Sequence, residues 1–303
     1  MPTTYTPLRY PGGKAKLGPF LADVLRHNHL TDGTYAEPYA GGAGAALFLL
    51  LRGYVRKIHI NDIDPAVAAF WRAVTRHTNK FVRAIETAPL TIAEWKHQRS
   101  IYREATAGFE LGFAFFYLNR TNRSGIMNAG VIGGQKQKGR WLINARFNRD
   151  ELTARVRAIG AQKRLISISQ VDALSFVSEL DDHFTRGERS FLYLDPPYFN
   201  KGQDLYTNWY SREDHAAIAR TLSRLRTPWL LTYDDCDEIR SLYADFHVRE
   251  SELSYSAREV RRGKELVVFG PGLRTPTTVR EATRHEPGFQ LGRRVAPYRK
   301  GID

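Results

Sequence analysis

Short apolar segments alternate with longer segments of helical periodicity along most of the chain. Runs such as KIHIN, LISIS and FLYL have the length and the alternating or fully apolar character of β-strands. Between them, segments such as LGPFLADVLRHN and PAVAAFWRAVTRH repeat apolar residues every three or four positions, which predicts helices. Strands that alternate with helices predict an α/β fold, with an open, mostly parallel sheet that helices cover on both faces.

This alternation is interrupted between residues 81 and 160. Two helical segments are followed there by the Gly- and Asn-rich stretch TNRSGIMNAGVIGGQKQKGRW, and residues 133–164 carry nine Lys or Arg against two Asp or Glu. We interpret 81–160 as an inserted, mainly helical subdomain with a basic face, although a solvated helix surface would give the same charge pattern. Residues 1–80 and 161–272 then form the main domain, and 273–303 form a basic C-terminal tail with little periodicity.

The composition narrows the possible partners and the compartment. Among 303 residues, 45 Lys or Arg outnumber 32 Asp or Glu, and the net charge of +13 suggests a polyanionic partner such as nucleic acid, although a role in solubility alone would give the same balance. Cys236 is the single cysteine, which excludes an internal disulfide and a Cys-based zinc site. The chain begins without a signal-peptide core and its longest apolar run is AALFLLL, so we expect a cytoplasmic protein with no membrane span and no metal.

A glycine-rich turn and an acidic strand end suggest a nucleoside-bearing cofactor. Gly41, Gly42 and Gly44 in AEPYAGGAG lie between a strand and a helix, where they let a ligand approach the backbone. Their spacing is not GxGxxG, so the dinucleotide fingerprint is not met. Asp62 ends the next strand about twenty residues later, in the position of a carboxylate that accepts hydrogen bonds from a ribose. Asp64 precedes a proline and is expected to cap the following helix.

The segment LDPPY directly follows the apolar strand FLYL. Two prolines cannot donate to a strand ladder, and the residue before a proline is pushed into extended geometry. Asp195 and Tyr198 are therefore expected on a stiff turn at the edge of the sheet. A plain strand-ending turn would look the same if the motif stood alone.

Taken in order, RYPGGK, EPYAGGAG, NDID, FYLNRTNRSG and LDPPY resemble the DNA adenine-N6 methyltransferases of the DPPY type, the Dam-like family. The resemblance covers about residues 7–270. It implies a Rossmann-like, S-adenosylmethionine-dependent methyltransferase fold with an inserted DNA target-recognition subdomain. It further implies S-adenosylmethionine as the methyl donor and, as the acceptor, the N6 amino group of an adenine flipped out of double-stranded DNA.

The resemblance also implies roles for individual residues. The cofactor-binding set is Tyr10, Lys14, Glu37, Pro38, Tyr39, Gly41, Gly42, Gly44, Asp62, Asp172 and Asp195. The catalytic set is Asp195, Pro196, Pro197 and Tyr198. Asp195 and the Pro196 carbonyl would accept the two amino hydrogens of the flipped adenine, and Tyr198 would stack on its ring, which is worth about 1–3 kcal/mol per base. Lys14 is expected to pair with a carboxylate.

The insertion supplies the expected DNA contacts. Polar donors that could read base edges or hold phosphates are Asn119, Arg120, Asn122, Arg123 and Asn128. Expected phosphate contacts are Lys136, Lys138, Arg140, Arg146 and Arg149. For Asn122 and Asn128, a loop that satisfies its own backbone is an alternative.

Several neighbouring functions stay open at this level. Methylation of RNA adenine or of the cytosine N4 amino group is an alternative, although the latter more often has Ser in place of Asp195; protein amide methyltransferases usually begin the motif with Asn. An inactive DNA-binding protein of the same fold is a further alternative. Methylation of the cytosine ring needs a cysteine nucleophile, and the acids around Cys236 oppose thiolate formation. Our working expectation is a monomer or weak dimer that acts with a cognate restriction or defence partner.

Overall fold

A mixed sheet forms the centre of the fold. The computed structural model describes residues 5–9, 14–185, 187–199, 210–257, 259–276 and 289–294. Its strands are β1 Thr34–Glu37, β2 Lys57–Asn61, β3 Ile166–Ser169, β4 Ser190–Leu194, β5 Trp229–Asp234, β6 His247–Ala257, β7 Glu259–Phe269 and β8 Phe289–Arg294. They lie in the order β3-β2-β1-β4-β5-β7-β6-β8, with β1–β5 parallel and β7, β6 and β8 joined by antiparallel pairing. The predicted α/β class is confirmed, and β6 and β7 form an antiparallel pair beside the parallel strands.

Helices cover both faces of this sheet. They are α1 Gly18–His27, α2 Gly44–Leu51, α3 Pro65–Arg76, α4 Thr78–Thr87, α5 Ile92–Glu104, α6 Gly108–Thr121, α7 Arg149–Ala161, α8 Ala173–Thr185, α9 Arg212–Leu222 and α10 Asp237–Leu242. Successive strand residues point to opposite faces, so Phe191 and Tyr193 enter one core with α1–α7, whereas Leu192 and Leu194 enter another with α8–α10. The fully apolar strand FLYL is thus explained by burial on both faces.

The predicted insertion shares the first of these cores. Phe116 of α6 stacks on Phe70 of α3 with ring centroids 6.1 Å apart, and it meets the edge of Phe81 of α4 at 5.2 Å. Gly112 lets α6 approach α3 closely, because a Cβ at this position would lie 2.6 Å from the carbonyl oxygen of Ala69. The proposed boundary at residue 81 therefore separates two parts of one continuous core, and the domain limits themselves stay a prediction.

A compact loop follows α6 and carries the first four of the nine cations in the basic stretch. Asn122 and Val131 form an isolated antiparallel bridge, and 3-10 turns occur at Arg123–Gly125 and Ile143–Arg146. The side chain of Gln137 donates to the carbonyls of Ile132 at 2.8 Å and Gly134 at 2.7 Å, and it accepts from the amide of Ile143 at 2.9 Å. We name residues 122–148 the recognition loop, because they include most of the residues that the sequence predicts as DNA contacts.

The end of the chain corrects one expectation. The tail was expected to have little regular structure, yet residues 289–294 form β8, which pairs with β6 at the edge of the sheet. The long β6 leaves unpaired backbone groups on its outer side, and β8 satisfies part of that edge. Within the described part of the chain, none of the helices has the length and apolar character needed to cross a membrane.

Candidate active site

The predicted motifs meet at the carboxyl ends of β1, β2, β4 and β5. The chain runs from β1 outward through β2 to β3, then returns to β4 on the other side of β1. This reversal is the point where open parallel sheets bind their ligands. The glycine-rich turn follows β1, and the Asp-Pro-Pro-Tyr turn follows its neighbour β4.

Hydrogen bonds to the end of β2 and to α3 fix the glycine-rich turn. Gly41 has a φ of 45°, and its amide donates to Asp62 Oδ2 at 2.8 Å. Its carbonyl accepts from Trp71 Nε1 of α3 at 2.9 Å. Ala43 also has a φ of 45°, a left-handed conformation that a non-glycine residue adopts only when its surroundings impose it. Contacts within the protein therefore hold the turn in this conformation.

Asp62 is held between two backbone amides. Asp64 donates to its second oxygen at 3.0 Å and itself caps α3, as predicted, by accepting from Ala66 at 2.8 Å. Burial raises the pKa of Asp62 to about 6, although these amide bonds act to lower it. Two large apolar side chains near this carboxylate stay exposed: Ile63 is 50% exposed and Val171, after β3, is 42% exposed. Exposed apolar surface beside a half-buried acid is typical of a ligand site.

Asn61, which sequence reasoning missed, ties the loops after β1 and β3 together. Its side-chain nitrogen donates to the carbonyls of Pro38 and Val171, both at 3.0 Å. Its oxygen accepts from the amide of Val171 at 3.0 Å and from Ser169 at 2.8 Å. Asp172 directly follows Val171 in the chain. Its carboxylate accepts from the amides of Leu174 and Ser175 at the start of α8 and is otherwise exposed.

Glu37 lies inside the protein at the end of β1. One of its oxygens accepts from Tyr35 at 2.9 Å and from the amide of Ala46 in α2 at 3.0 Å. Burial raises the pKa of Glu37 to about 8, against the lowering effect of these two bonds. The side chain thus stabilises the first turn of α2 beside the glycine-rich turn. Tyr39, from the same segment, accepts at 3.3 Å from the hydroxyl of Tyr210.

The Asp-Pro-Pro-Tyr turn is anchored on β5. Thr232 donates to Asp195 Oδ1 at 3.0 Å, so the hydroxyl of Tyr193, 2.7 Å from Thr232, must donate to Thr232. Asp234 accepts from the amide of Phe199 at 2.9 Å and holds the far end of the turn. Burial raises the pKa of Asp195, while Lys14 and Thr232 act to lower it.

Lys14 joins this turn to β7. Its ammonium lies 3.3 Å from Asp195 Oδ1, 2.9 Å from Glu265 Oε1 and 3.0 Å from the hydroxyl of Tyr198. Tyr198 in turn donates a short hydrogen bond to Glu265. Burial acts to lower the pKa of Lys14, but the two carboxylates raise it well above its usual value, so the ammonium stays charged. The predicted pairing of Lys14 with a carboxylate is confirmed; Tyr10 lies outside the described residues.

The predicted DNA contacts of Asn119 and Asn122 are corrected by the structure, because both side chains are buried and their amides form hydrogen bonds within the protein. Asn119 accepts from the amide of Arg9 at 2.7 Å and donates to the carbonyls of Arg9 and Gly125. Asn122 accepts from Trp95 Nε1 at 2.7 Å and donates to the carbonyls of residues 126 and 127. They fix the recognition loop, and the alternative of a loop satisfying its own backbone is the one observed for Asn122.

The arginines that the sequence predicts as DNA contacts differ in whether the protein itself uses their guanidinium groups. Arg149 donates to the carbonyls of Ile85 and Ala88 at the end of α4, so its predicted phosphate contact is replaced by a structural one. Arg120 is half-buried, and its Nε has no hydrogen-bond partner among the described residues. Burial, followed by the nearby charges of Arg9, Arg155 and Arg146, lowers the pKa of Arg120 to about 9.

The remaining predicted DNA contacts lie on the surface of the recognition loop. Exposed side chains are Arg123, Asn128, Lys136, Lys138, Arg140 and Arg146. Trp141 is 63% exposed, and the guanidinium of Arg140 lies 5.4 Å from its ring centroid. A large exposed aromatic among cations can stack on nucleic-acid bases. Sequence reasoning missed Trp141, although an aromatic within a basic, Gly-rich stretch was a visible signal.

The strand order, with antiparallel β7 next to β5, and the acidic strand ends define a Rossmann-like methyltransferase fold. The chain belongs to the D12 class N6 adenine-specific DNA methyltransferases, whose family model matches residues 10–257. It is 22% identical to the type II methyltransferase M.CviBI of Paramecium bursaria Chlorella virus NC1A, over 73% of this chain and 81% of that protein. It is 24% identical to the type II methyltransferase M.MjaIII of Methanocaldococcus jannaschii, over 80% and 89% respectively.

Proposed function

We propose that this protein transfers a methyl group from S-adenosylmethionine to the N6 amino group of an adenine in double-stranded DNA. One observation carries the proposal: Asp195, directly before two prolines, is fixed by Thr232 and Lys14 at the same sheet edge as Asp62. Family membership gives the class of reaction, and this arrangement supports an intact site for it.

The residues after β1, β2 and β3 fit S-adenosylmethionine in their chemistry. The half-buried carboxylate of Asp62 suits ribose hydroxyls, and the exposed side chains of Ile63 and Val171 offer apolar surface to a flat base. When bound, the donor would supply an electrophilic methyl group on a positively charged sulfur. The other proposed cofactor residues are Tyr10, Lys14, Glu37, Pro38, Tyr39, Gly41, Gly42, Gly44, Asp172 and Asp195.

The proposed chemistry addresses the weak nucleophilicity of an aromatic amine, whose lone pair is delocalised into the ring. Asp195 would accept one amino hydrogen and the carbonyl of Pro196 the other. Those two bonds would turn the lone pair toward the methyl group and hold the nitrogen for in-line attack. The base must leave the duplex to reach this site, and Tyr198 would stack on it there. The two prolines restrict the backbone and so fix the positions of the two acceptors relative to the Tyr198 ring.

We propose that the recognition loop binds the DNA. Its exposed cations Lys136, Lys138 and Arg140 would contact phosphates, and Arg123 and Asn128 would contact base edges or phosphates. We assign Arg120 to a phosphate, because an anion would compensate a guanidinium whose described charged neighbours are mainly cations. Because two relatives are named type II methyltransferases, we also propose that the protein modifies a specific site as the partner of a cognate nuclease.

The test is the Asp195→Ala variant in a radiolabelled methyl-transfer assay on unmethylated genomic DNA, with chromatography of the digested nucleosides. We expect wild-type label in N6-methyladenine and a loss of at least about 100-fold in the variant, comparable to removing a group that stabilises a transition state. Asp237→Ala, an exposed acid on α10, is the matched control and should keep full activity. Full activity of Asp195→Ala, or label in a cytosine or RNA nucleoside, would contradict the proposal.

A further inference from the structure

Glu265 is a buried acid in contact with two residues of the proposed catalytic site. It lies on β7 opposite Asp234 of β5, and it is 2% exposed. Both of its oxygens accept from Lys14, at 2.9 and 3.2 Å, and Oε1 also accepts from the hydroxyl of Tyr198. A buried carboxylate with this many charge-assisted bonds is a costly arrangement that a strand core does not need.

The charges of this cluster do not cancel. We count Lys14 as one positive charge and Asp195 and Glu265 as two negative charges, because burial raises the pKa of both acids but the Lys14 ammonium acts to lower both. Tyr198 is neutral, because burial raises its pKa well above the usual value. The ammonium is closer to Glu265, at 2.9 Å, than to Asp195, at 3.3 Å. Without Glu265, Lys14 and Asp195 would form a neutral pair. With it, these four side chains carry a net charge of −1.

The sign of this charge matches what methyl transfer to an amine requires. As the carbon–nitrogen bond forms and the carbon–sulfur bond breaks, sulfur keeps the bonding pair and the amino nitrogen becomes positive. The nitrogen then loses one proton to solvent. A fixed negative charge beside the nitrogen stabilises the transition state for this change, whereas a neutral ion pair does so far less.

We propose that Glu265 is a positioning residue that engages Lys14 and Tyr198, so that Asp195 keeps an uncompensated negative charge facing the adenine amino group. The inference rests on the proposed function and adds a residue to it. It separates two roles of Lys14: the ammonium ties the Asp-Pro-Pro-Tyr turn to β7, while Glu265 prevents the same ammonium from neutralising Asp195.

The test compares Glu265→Gln with Glu250→Gln. Glu250 lies on the neighbouring strand β6, opposite Leu266, and accepts from Arg240 at 2.9 Å, so its variant controls for loss of an ion pair in the sheet. In single-turnover methyl transfer at saturating DNA and donor, we expect Glu265→Gln to be slower by about 10- to 100-fold, less than the loss of a group that touches the base. Glu250→Gln should keep the wild-type rate.

A second readout needs no turnover. Calorimetry without DNA would give the dissociation constants of S-adenosylmethionine, which carries the sulfonium charge, and of S-adenosylhomocysteine, which does not. Glu265→Gln should weaken binding of the charged ligand several-fold more than binding of the neutral one, because the cluster has lost its net charge. A purely structural role would weaken both equally, and that result would overturn the proposal, as would a wild-type methyl-transfer rate.

A double variant tests the coupling. Lys14→Met combined with Glu265→Gln leaves Asp195 charged and without Lys14, so the double variant should lose less rate than the product of the two single losses. Fully multiplicative losses would overturn the proposal. If the wild-type protein binds neither ligand, or labels no DNA, the proposed function fails, whereas failure of the Glu265 inference alone leaves wild-type DNA methylation intact.

Discussion

Replacing Arg120 with Gln should stabilise the free protein and weaken its binding to DNA. Arg120 is half-buried at the end of α6, and the cations Arg9, Arg155 and Arg146 act on it more strongly than the one nearby acid, Glu151. Arg155 is partly compensated by Glu151 at 3.2 Å, whereas the Nε of Arg120 has no hydrogen-bond partner among the described residues. The described surroundings thus disfavour the charge of this side chain, and a bound anion would compensate it.

The magnitude follows from the pKa. The pKa of Arg120 falls from 12.5 to about 9, and at about 1.4 kcal/mol per pKa unit this gives an upper limit of about 5 kcal/mol. Water still reaches part of the guanidinium and glutamine loses aliphatic contacts, so we expect a net gain of about 1 kcal/mol in the free energy of unfolding. For a chain of this size, that gain raises Tm by about 1–2 °C.

Thermal unfolding and DNA titrations over a range of salt concentrations measure the two effects. We expect Arg120→Gln to bind DNA about tenfold more weakly at low salt, with a slope of log K against log salt that is smaller by about one. Arg157→Gln is the matched control: Arg157 is exposed on α7 and pairs with Glu86 at 2.9 Å, and its loss should not raise Tm. A loss of more than about 1 kcal/mol in Arg120→Gln, or an unchanged salt slope, would refute the reasoning.

Two further predictions concern the stability of the fold. The pKa of Glu37, about 8, lies above its usual value of 4.5, so between these pH values the folded state keeps its proton while the unfolded state loses it. The free energy of unfolding of the wild-type protein should therefore fall by up to about 1.4 kcal/mol per pH unit between pH 4.5 and 8. Glu37→Gln should remove that fall. Urea unfolding at pH 5 and pH 8 measures this, and parallel losses in both proteins would contradict it. Gly112→Ala should destabilise the protein by about 1–3 kcal/mol, because its Cβ would lie 2.6 Å from the carbonyl oxygen of Ala69; a Tm equal to that of the wild-type protein would show that α6 can move away from α3 without loss.

The sequence predicts the parts of the site that follow strand order. The Gly-rich turn, Asp62 and the Asp-Pro-Pro-Tyr turn each come directly after an apolar strand, so the rule for parallel sheets brings them together. Glu265 could not be found this way, because it lies inside the strand KELVVF and meets Lys14 across 251 positions of sequence. Asn119 and Asn122 have the composition of base readers, but tertiary packing uses their amides to hold the loop. Such competition between local chemistry and tertiary contacts is invisible in a single sequence.

The stacking of Phe116 on Phe70 has a consequence for engineering new specificities. An exchange of residues 81–160 between relatives would cut through one aromatic core and replace half of it, so such chimeras should fail to fold unless α3 is exchanged as well. The recognition loop, by contrast, places the side chains of Val131, Ile143 and Phe147 in that core, and the amides of Asn119 and Asn122 hold its first turn. Grafts that keep these two asparagines and replace only the exposed loop residues are the practical unit for redesign.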